Sequence, residues 1–261
     1  MLGVVLTVFF TTLALMAPLI SPYDPLRMVG QSFRPPEDKH PMGTDDLGRD
    51  IYSGMLFGAR ISLMVGYLAA AASIAIGVII GGVSGYYGGR IDDIMMRITE
   101  LFLVIPRFFL ALILVALFGA SVWNLIFAIA ILSWPGTARL VRAEFLSLKE
   151  REFVDAARTL GAGDLNLIVD EILPNATPPI IVNGSLEVAR AILLEAGLSF
   201  LGLGDPNMAS WGYMLNNAQR FIRQAWWMAI FPGLAIFLVA LGLNLVGDGL
   251  NDALNPRLKE R

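Results

Sequence analysis

Few residues of this chain could carry out catalysis. His40 is the only histidine among the 261 residues, and cysteine is absent. A Ser-His-Asp triad or a zinc site therefore has almost no side chains from which to form. The three lysines follow Asp38, Leu148 and Leu258, and none completes a phosphate-binding loop, in which glycine precedes the lysine. We expect no catalytic residue, no metal site and no cofactor bound by this chain.

Charged side chains interrupt two otherwise apolar segments. Glu187 and Arg190 are three residues apart and can pair on one face of a helix. Arg107 follows Pro106, so it either pairs inside a helical bundle or extends to the membrane interface behind a proline kink. Because charge inside a membrane is costly, such residues usually face a partner or water.

Glu195 lies well inside the segment that holds Glu187 and Arg190. It either lines a path for a transported solute or makes structural hydrogen bonds, and the sequence leaves both readings open. The same alternatives apply to nearby polar side chains. The candidates for a translocation pathway are Glu195, Ser199, Asn183 and Arg107.

A third polar feature is the segment from Thr44 to Asp50, which holds three aspartates and one arginine. Its spacing differs from that of an EF-hand calcium loop. We interpret it as a structured loop and not as a metal site.

The composition explains why these polar groups are exceptional. Hydrophobic residues make up 56% of the chain and charged residues 16%, with a mean hydropathy of +0.66. An ordinary soluble domain has about 25% charged residues. A net charge of −3 argues against a nucleic-acid-binding protein. The composition indicates an integral membrane protein.

The apolar segments predict an all-α, polytopic membrane bundle. A membrane-spanning helix needs about 20 apolar residues. We predict six transmembrane helices, at residues 1–20, 61–89, 94–118, 122–144, 178–203 and 226–247. A signal peptide is the alternative for residues 1–20, but a basic start and a clear cleavage site are lacking. The break between the third and fourth spans falls at Gly119-Ala120-Ser121.

Small residues recur every four positions along the second span. Such a strip allows close approach of another helix, either from the same bundle or from a partner subunit. The strip consists of Ala69, Ser73, Gly77, Gly81, Gly85 and Gly89.

The distribution of lysine and arginine predicts the orientation. Ten of them fall in segments 86–97, 139–175 and the C-terminus, against seven on the opposite side. The positive-inside rule then places both termini in the cytoplasm. We divide the chain into residues 1–57, a first transmembrane helix with an extracytoplasmic segment, and residues 58–257, a transmembrane domain of five helices with a cytoplasmic loop at 147–175.

That loop predicts a short exposed helix, a glycine break and an amphipathic return. Ala156 and Ala157 favour a helix, and Gly161 provides a stop. Asp164 can begin a second short helix.

The loop is similar to the EAA loop of ABC importer permeases, through Glu152, Ala156, Ala157 and Gly161 followed by Ile172-Leu173-Pro174. Further stretches resemble the dipeptide/oligopeptide/nickel-type permeases, in particular their second, C-type subunit. They are His40-Pro-Met-Gly-Thr-Asp-Asp-Leu-Gly-Arg-Asp50, Leu198-Ser-Phe-Leu-Gly-Leu-Gly204 with Ser210-Trp-Gly212, and Asn244-Leu-Val-Gly-Asp-Gly-Leu250. They follow in the right order over residues 1–257.

The resemblance implies a type I ABC importer permease fold in a prokaryotic cytoplasmic membrane. A coupling helix at about 153–161 is then expected to dock on a separate cytoplasmic ATPase. The expected coupling residues are Glu152, Asp155, Ala156, Ala157, Arg158, Leu160 and Gly161. The residues expected to face a solute-binding protein are Asp45, Asp46, Arg49, Asp50, Ser210 and Trp211.

The resemblance also implies the partners. They are a second, homologous permease that completes a heterodimer, one or two ATP-binding subunits that hold ATP and Mg, an extracytoplasmic solute-binding protein, and membrane lipid. Peptides are the expected cargo, with nickel complexes or oligosaccharides as alternatives. A self-contained secondary transporter or channel is a different class, although six spans are few for one. An intramembrane enzyme is a third, but the chain lacks an HExxH motif.

Overall fold

Ten α-helices and two short π-helical segments account for the secondary structure of residues 1–254, which are those that the computed structural model describes. Within this range the chain forms isolated antiparallel bridges but no strand, so the all-α prediction is confirmed. Arg257, Lys259 and Arg261, which contribute to the predicted orientation, lie outside the described residues. The helices are α1 (Leu2–Ile20), α2 (Ile51–Tyr87), α3 (Gly89–Val104), α4 (Arg107–Phe118), α5 (Val122–Leu148), α6 (Glu152–Thr159), α7 (Asp164–Asn166), α8 (Leu173–Leu198), α9 (Trp211–Ala218) and α10 (Trp227–Leu254). The first π-helical segment is Leu167–Ile172 and the second is Ser199–Leu203.

The number of membrane spans is the point at which structure and prediction differ. Within residues 1–254, four helices are long and apolar enough to cross a membrane, namely α1, α2, α5 and α10. The count becomes five if α3 and α4 together form one broken span. Six spans are therefore not confirmed.

The predicted fifth span corresponds to α8 and the π-helical segment after it. At about 1.5 Å per residue, the 26 residues of α8 are long enough to cross a bilayer core of about 30 Å. However, α8 carries Asn183, Glu187, Arg190 and Glu195, and these lower its hydropathy. It is absent from the set of apolar helices for this reason.

The predicted third span, 94–118, is two helices that meet at 86°. Ile105 separates them in an extended conformation, with φ −82° and ψ 127°. Steric conflict with the ring of a proline disfavours the helical conformation in the residue before it, and Pro106 follows. The predicted span is therefore bent at Ile105-Pro106, and its crossing of the membrane as one broken span stays a prediction.

Two other boundaries depend on glycine. Gly119 has a φ of +95° between α4 and α5, so the predicted break at 119–121 is confirmed. Gly88, with a φ of +65°, separates α2 from α3, and Gly89, with a φ of +54°, begins α3. Positive φ is costly for other residues, which explains glycine at these turns. At its other end α2 begins at Ile51, ahead of the predicted span.

The chain divides into two compact units. The first comprises Met1–Ala69, Ala111–Ile129 and Val188–Val246. One of its apolar clusters is formed by residues of α2, α5 and α8, namely Val65, Ala69, Val122, Ile129 and Ala191. The predicted boundary at residue 57 divides the chain by its position relative to the membrane, whereas these units are divided by internal contacts. That boundary therefore stays a prediction.

The second unit comprises Ala70–Leu110, Ala130–Glu187 and the described residues from Gly247 onward. In it the small-residue strip of α2 packs against α5. A Cβ atom added to Gly77 would lie 2.6 Å from Thr137 Cβ, and one added to Gly85 would lie 2.7 Å from Phe145 Cβ. These glycines are required because the two backbones approach closely, so this part of the strip serves packing within the chain.

Candidate functional site

The predicted coupling helix is α6, which ends in a hydrogen-bonded glycine cap. Gly161 has a φ of +89°. Its N–H donates to Arg158 O over 3.0 Å, and Ala162 N donates to Ala157 O over 3.1 Å. This pair of bonds is the Schellman arrangement that ends many helices. The predicted helix stop is therefore confirmed, and the chain turns away from the helix directly after Leu160.

One face of α6 packs against the rest of the second unit. Val154 is fully buried, with a relative exposure of 0%. It belongs to an apolar cluster to which α5, α6, the first π-helical segment and α8 contribute, formed by Val141, Phe145, Val154, Leu167, Ile172, Ala176 and Ile180. Ala157 packs against this cluster from the following turn of α6. α6 is thus packed against side chains of α5 and α8.

A hydrogen bond also attaches the part of the loop after Gly161 to α2. The Tyr86 hydroxyl, near the end of α2, donates a hydrogen bond of 2.8 Å to Asp164 Oδ1. The apolar cluster described above also contains side chains from α6 and from the first π-helical segment, which lie on the two sides of the turn. The loop is therefore held to α2, α5 and α8 by apolar and polar contacts together.

The other face of α6 is available to a partner. Leu160 is 89% exposed, and Glu152, Asp155, Ala156 and Arg158 are exposed as well. Arg158 Nη1 and Asp155 Oδ1 lie 2.9 Å apart in an exposed pair. Six of the seven predicted coupling residues, Gly161 among them, are therefore exposed, whereas Ala157 lies partly inward.

Sequence reasoning missed two kinds of residue here. Val154 is the buried attachment point, and its apolar neighbour at i+3, Ala157, was the available signal. Phe153 and Leu165 are exposed and apolar, and they extend the outer surface of the loop beside Leu160. Exposed apolar side chains beside a polar rim are typical of a protein–protein contact.

Glu195, a pathway candidate, lies in a buried polar network of the first unit. Its relative exposure is 1%. Ser199 Oγ donates to Glu195 Oε1 over 2.7 Å, and Ser62 Oγ donates to Oε2 over 3.1 Å. Trp211 N in turn donates to Ser62 Oγ over 3.3 Å. The contacts favour the structural reading of Glu195 and Ser199 over pathway lining.

The other two pathway candidates belong to the second unit and have separate partners. Asn183 Nδ2 donates to Thr137 Oγ1 over 3.0 Å. Arg107 Nη1 lies 4.0 Å from Glu187 Oε1, and one third of the Arg107 side chain is exposed. Of the two readings of Arg107, the ion pair within the chain fits this geometry. Pathway lining by any of the four stays a prediction.

Residues 21–50, between α1 and α2, form the outer segment of the predicted topology, and buried polar contacts organise them. His40 Nδ1 and Asp50 Oδ1 lie 2.8 Å apart, and Asp50 Oδ2 accepts from Ser53 N over 2.8 Å and from Ser53 Oγ over 2.7 Å. Trp227 Nε1 donates to Thr44 O over 3.1 Å. The structured loop that we interpreted from sequence is thus present.

Asp45 shapes the turn inside this segment. Its Oδ1 accepts hydrogen bonds from Leu47 N and Arg49 N, over 2.9 and 2.8 Å. Burial raises the pKa of the Asp45 carboxyl above its usual value, and the bond from Arg49 N opposes that shift without cancelling it.

The six residues expected to face a solute-binding protein separate into two groups. Asp45, Asp46 and Arg49 are half-buried and reach the surface of the outer segment. Asp50, Ser210 and Trp211 are buried. Ser210 caps α9 by accepting from Tyr213 N, and Trp211 Nε1 donates to Met55 O over 3.1 Å. The structure therefore gives this second group internal contacts, while docking stays a prediction for all six.

Comparison with solved structures agrees with the fold. A chain of an inward-facing MetNI methionine ABC transporter has a TM-score of 0.61 at 19% identity, covering 77% of this chain and 96% of that one. A chain of an amino acid ABC transporter has a TM-score of 0.60 at 18% identity, covering 78% and 95%. The type I importer fold is confirmed by these matches.

Comparison with known sequences gives a more specific result. The dipeptide transport system permease protein DppC of Alkalihalophilus pseudofirmus is 42% identical over 260 residues, which cover 98% of this chain and 85% of that protein. The oligopeptide transport system permease protein OppC of Bacillus subtilis is 40% identical, covering 100% and 86%.

The family match covers most of the chain. Residues 73–260 match the family described as the binding-protein-dependent transport system inner membrane component. A member of this family is a membrane subunit of a transport system, and it works with an ATPase and a binding protein. The chain therefore belongs to the binding-protein-dependent transport system inner membrane components, the ABC importer permeases that its loop resembles.

Proposed function

We propose that this chain is one of two permease subunits of a peptide importer. It forms half of the path for di- or oligopeptides with a second, homologous permease. One or two separate subunits bind ATP and Mg, and an extracytoplasmic protein delivers the peptide. The observation that carries this proposal is the 39–42% identity, over almost the whole chain, to relatives named as dipeptide, di/tripeptide or oligopeptide permeases.

The geometry of the loop supports the coupling role. An exposed surface on α6 is fixed to the helices through Val154, so a partner that moves α6 also moves them. Rigid displacement of packed helices is a common form of conformational switching. In this scheme α6 is the coupling helix, and the chain itself hydrolyses nothing.

The proposed topology places the chain in the cytoplasmic membrane of a prokaryote with six spans and both termini inside. It includes α8 as a span whose polar residues are satisfied within the protein. The natural absence of cysteine allows a direct test by single-cysteine labelling. Leu160→Cys in the loop should react only with reagent on the cytoplasmic side, and Met28→Cys only from outside, since both positions are exposed. Labelling of both from one side contradicts the topology.

The function is tested by reconstitution. The chain, its companion permease, the ATPase subunits and the binding protein are placed in liposomes with a labelled dipeptide, an oligopeptide, a nickel complex or an oligosaccharide. We expect ATP-dependent uptake of peptide and none when any component is omitted. Uptake of nickel or sugar alone would assign a different cargo. Transport by the chain by itself, driven by an ion gradient, would contradict the whole proposal in favour of a secondary transporter.

A further inference from the structure

A polar cavity lies between α3 and α5 of the second unit. None of the residues that line it belongs to the coupling or pathway candidates described above. Its volume is about 610 Å³, within the range of about 300–1,000 Å³ that is usual for ligand sites. Six charged side chains line it, three of each sign. They are Asp92, Asp93, Arg97, Glu100, Arg139 and Arg142.

Two of the six are paired with each other. Arg142 donates from Nε and Nη2 to the two carboxylate oxygens of Asp92, and Ser84 of α2 also donates to Asp92. A bidentate pair of this kind holds both side chains in one geometry. The inner wall of the cavity is thus fixed, and its two charges neutralise each other.

The remaining four charges have no such partner. Asp93, Arg97, Glu100 and Arg139 are exposed, and none of them takes part in an ion pair within residues 1–254. Two are cationic and two anionic. A cavity that offers unpaired charges of both signs matches a ligand that carries both signs itself.

We propose that this cavity binds the charged ends of a peptide, with Arg97 and Arg139 on the α-carboxylate and Asp93 and Glu100 on the α-ammonium group. The inference rests on the proposed peptide cargo. Guanidinium groups suit carboxylates because their donors are arranged in a planar fork. With the proposed topology, the cavity lies toward the cytoplasm and receives the peptide late in transport.

The test uses the complete transporter in liposomes and peptides whose ends are blocked. A peptide with a free carboxylate is compared with its C-terminal amide, and a free amine with its N-acetyl form. The same binding protein is used throughout, so any change in preference comes from the permease variant. The variants are Arg97→Gln, Arg139→Gln, Glu100→Gln and Asp93→Asn. Arg90→Gln is the matched control, since Arg90 is exposed on α3 outside the cavity.

We expect each arginine variant to reduce the preference for the free acid about tenfold, measured as the ratio of apparent KM values for amide and acid, as for loss of a charge-assisted hydrogen bond. The carboxylate variants should reduce the preference for the free amine and leave the acid-to-amide ratio unchanged. Arg90→Gln should change neither ratio.

Three outcomes overturn the assignment. They are unchanged ratios in all four variants, an equal loss for free and blocked peptides, and loss of the companion permease on purification, which would make the cavity a subunit interface. If the wild-type complex takes up peptide and the ratios are unchanged in the variants, only the assignment of the cavity is rejected. Absence of peptide uptake by the wild-type complex rejects the proposed function, and the two failures are therefore distinguishable.

Discussion

The Ser62 hydroxyl donates a hydrogen bond to the Glu195 carboxylate over 3.1 Å, and both side chains are buried. Because Ser62 also accepts from Trp211 N, the pair joins α2, α8 and the start of α9. A carboxylate in a mainly apolar helix is thus accounted for by contacts within its own unit. A transported solute is not needed to explain it.

Replacement of Glu195 therefore tests whether this residue stabilises the fold or takes part in transport. Glu195→Ala leaves two buried hydroxyls without their acceptor and should lower the free energy of unfolding by about 2–4 kcal/mol. We expect Glu195→Gln to be milder, since an amide keeps one acceptor oxygen. The measurements are thermal unfolding in detergent and the KM for peptide of the folded transporter. Leu193→Ala, at an exposed site on the same helix, is the control. A changed KM with normal stability would restore Glu195 to the pathway.

The cap of α6 gives a second prediction. Gly161→Ala forces a side chain into a positive-φ conformation, which costs about 1–2 kcal/mol. Gly161→Val should cost more, and both should reduce ATP-driven uptake while the complex still assembles in the membrane. Gly163→Ala is the matched control, because Gly163 has an ordinary φ of −75° and open space around it. Normal uptake in Gly161→Val would remove this turn from the coupling mechanism.

The two alanines of α6 should respond differently to the same substitution. Ala157→Glu places a charge against the apolar cluster and should loosen the loop, which limited proteolysis would detect. Ala156 is exposed, so Ala156→Glu should leave the loop folded and weaken retention of the ATPase in co-purification. Both variants should lower uptake. If the two behave alike in proteolysis, the assignment of inward and outward faces is wrong.

Asp45 gives a prediction about pH. Because its pKa is higher in the folded segment than in the unfolded chain, the folded state binds the proton more tightly. The outer segment should therefore become more stable as pH falls through the raised pKa, and less stable as pH rises through it. Asp45→Asn keeps an acceptor for Leu47 N and Arg49 N and removes the cost of a buried charge. It should stabilise the segment at neutral pH and abolish its response to acid.

Hydrogen exchange of residues 43–50 at neutral and mildly acidic pH measures this effect. The control is Asp24→Asn, because Asp24 Oδ1 accepts from Leu26 N in a similar turn but on an exposed side chain. The control should show no comparable gain. Equal protection of the wild-type segment at both pH values would refute a role for the Asp45 proton.

Local chemistry determined much of this protein from the sequence. Long, mainly apolar runs predicted α1, α2, α5 and α10, because burial in lipid depends on composition more than on partners. Gly119 and Gly161 predicted the ends of helices, since positive φ is a property of the residue itself. The motif of the loop identified the family. In each case the deciding interaction lies within a few residues along the chain.

Only the tertiary structure decided which side chains face inward. It placed Ala157 on the apolar cluster and Ala156 on the surface. It also buried Trp211 and Asp50, which the family resemblance led us to expect at a surface facing the solute-binding protein. Asp92 and Arg142 are 50 residues apart and meet only when α3 and α5 pack together. The sign and spacing of charges are visible in a sequence, but desolvation and pairing depend on contacts between distant segments, and these decide whether a charge is structural or available to a ligand.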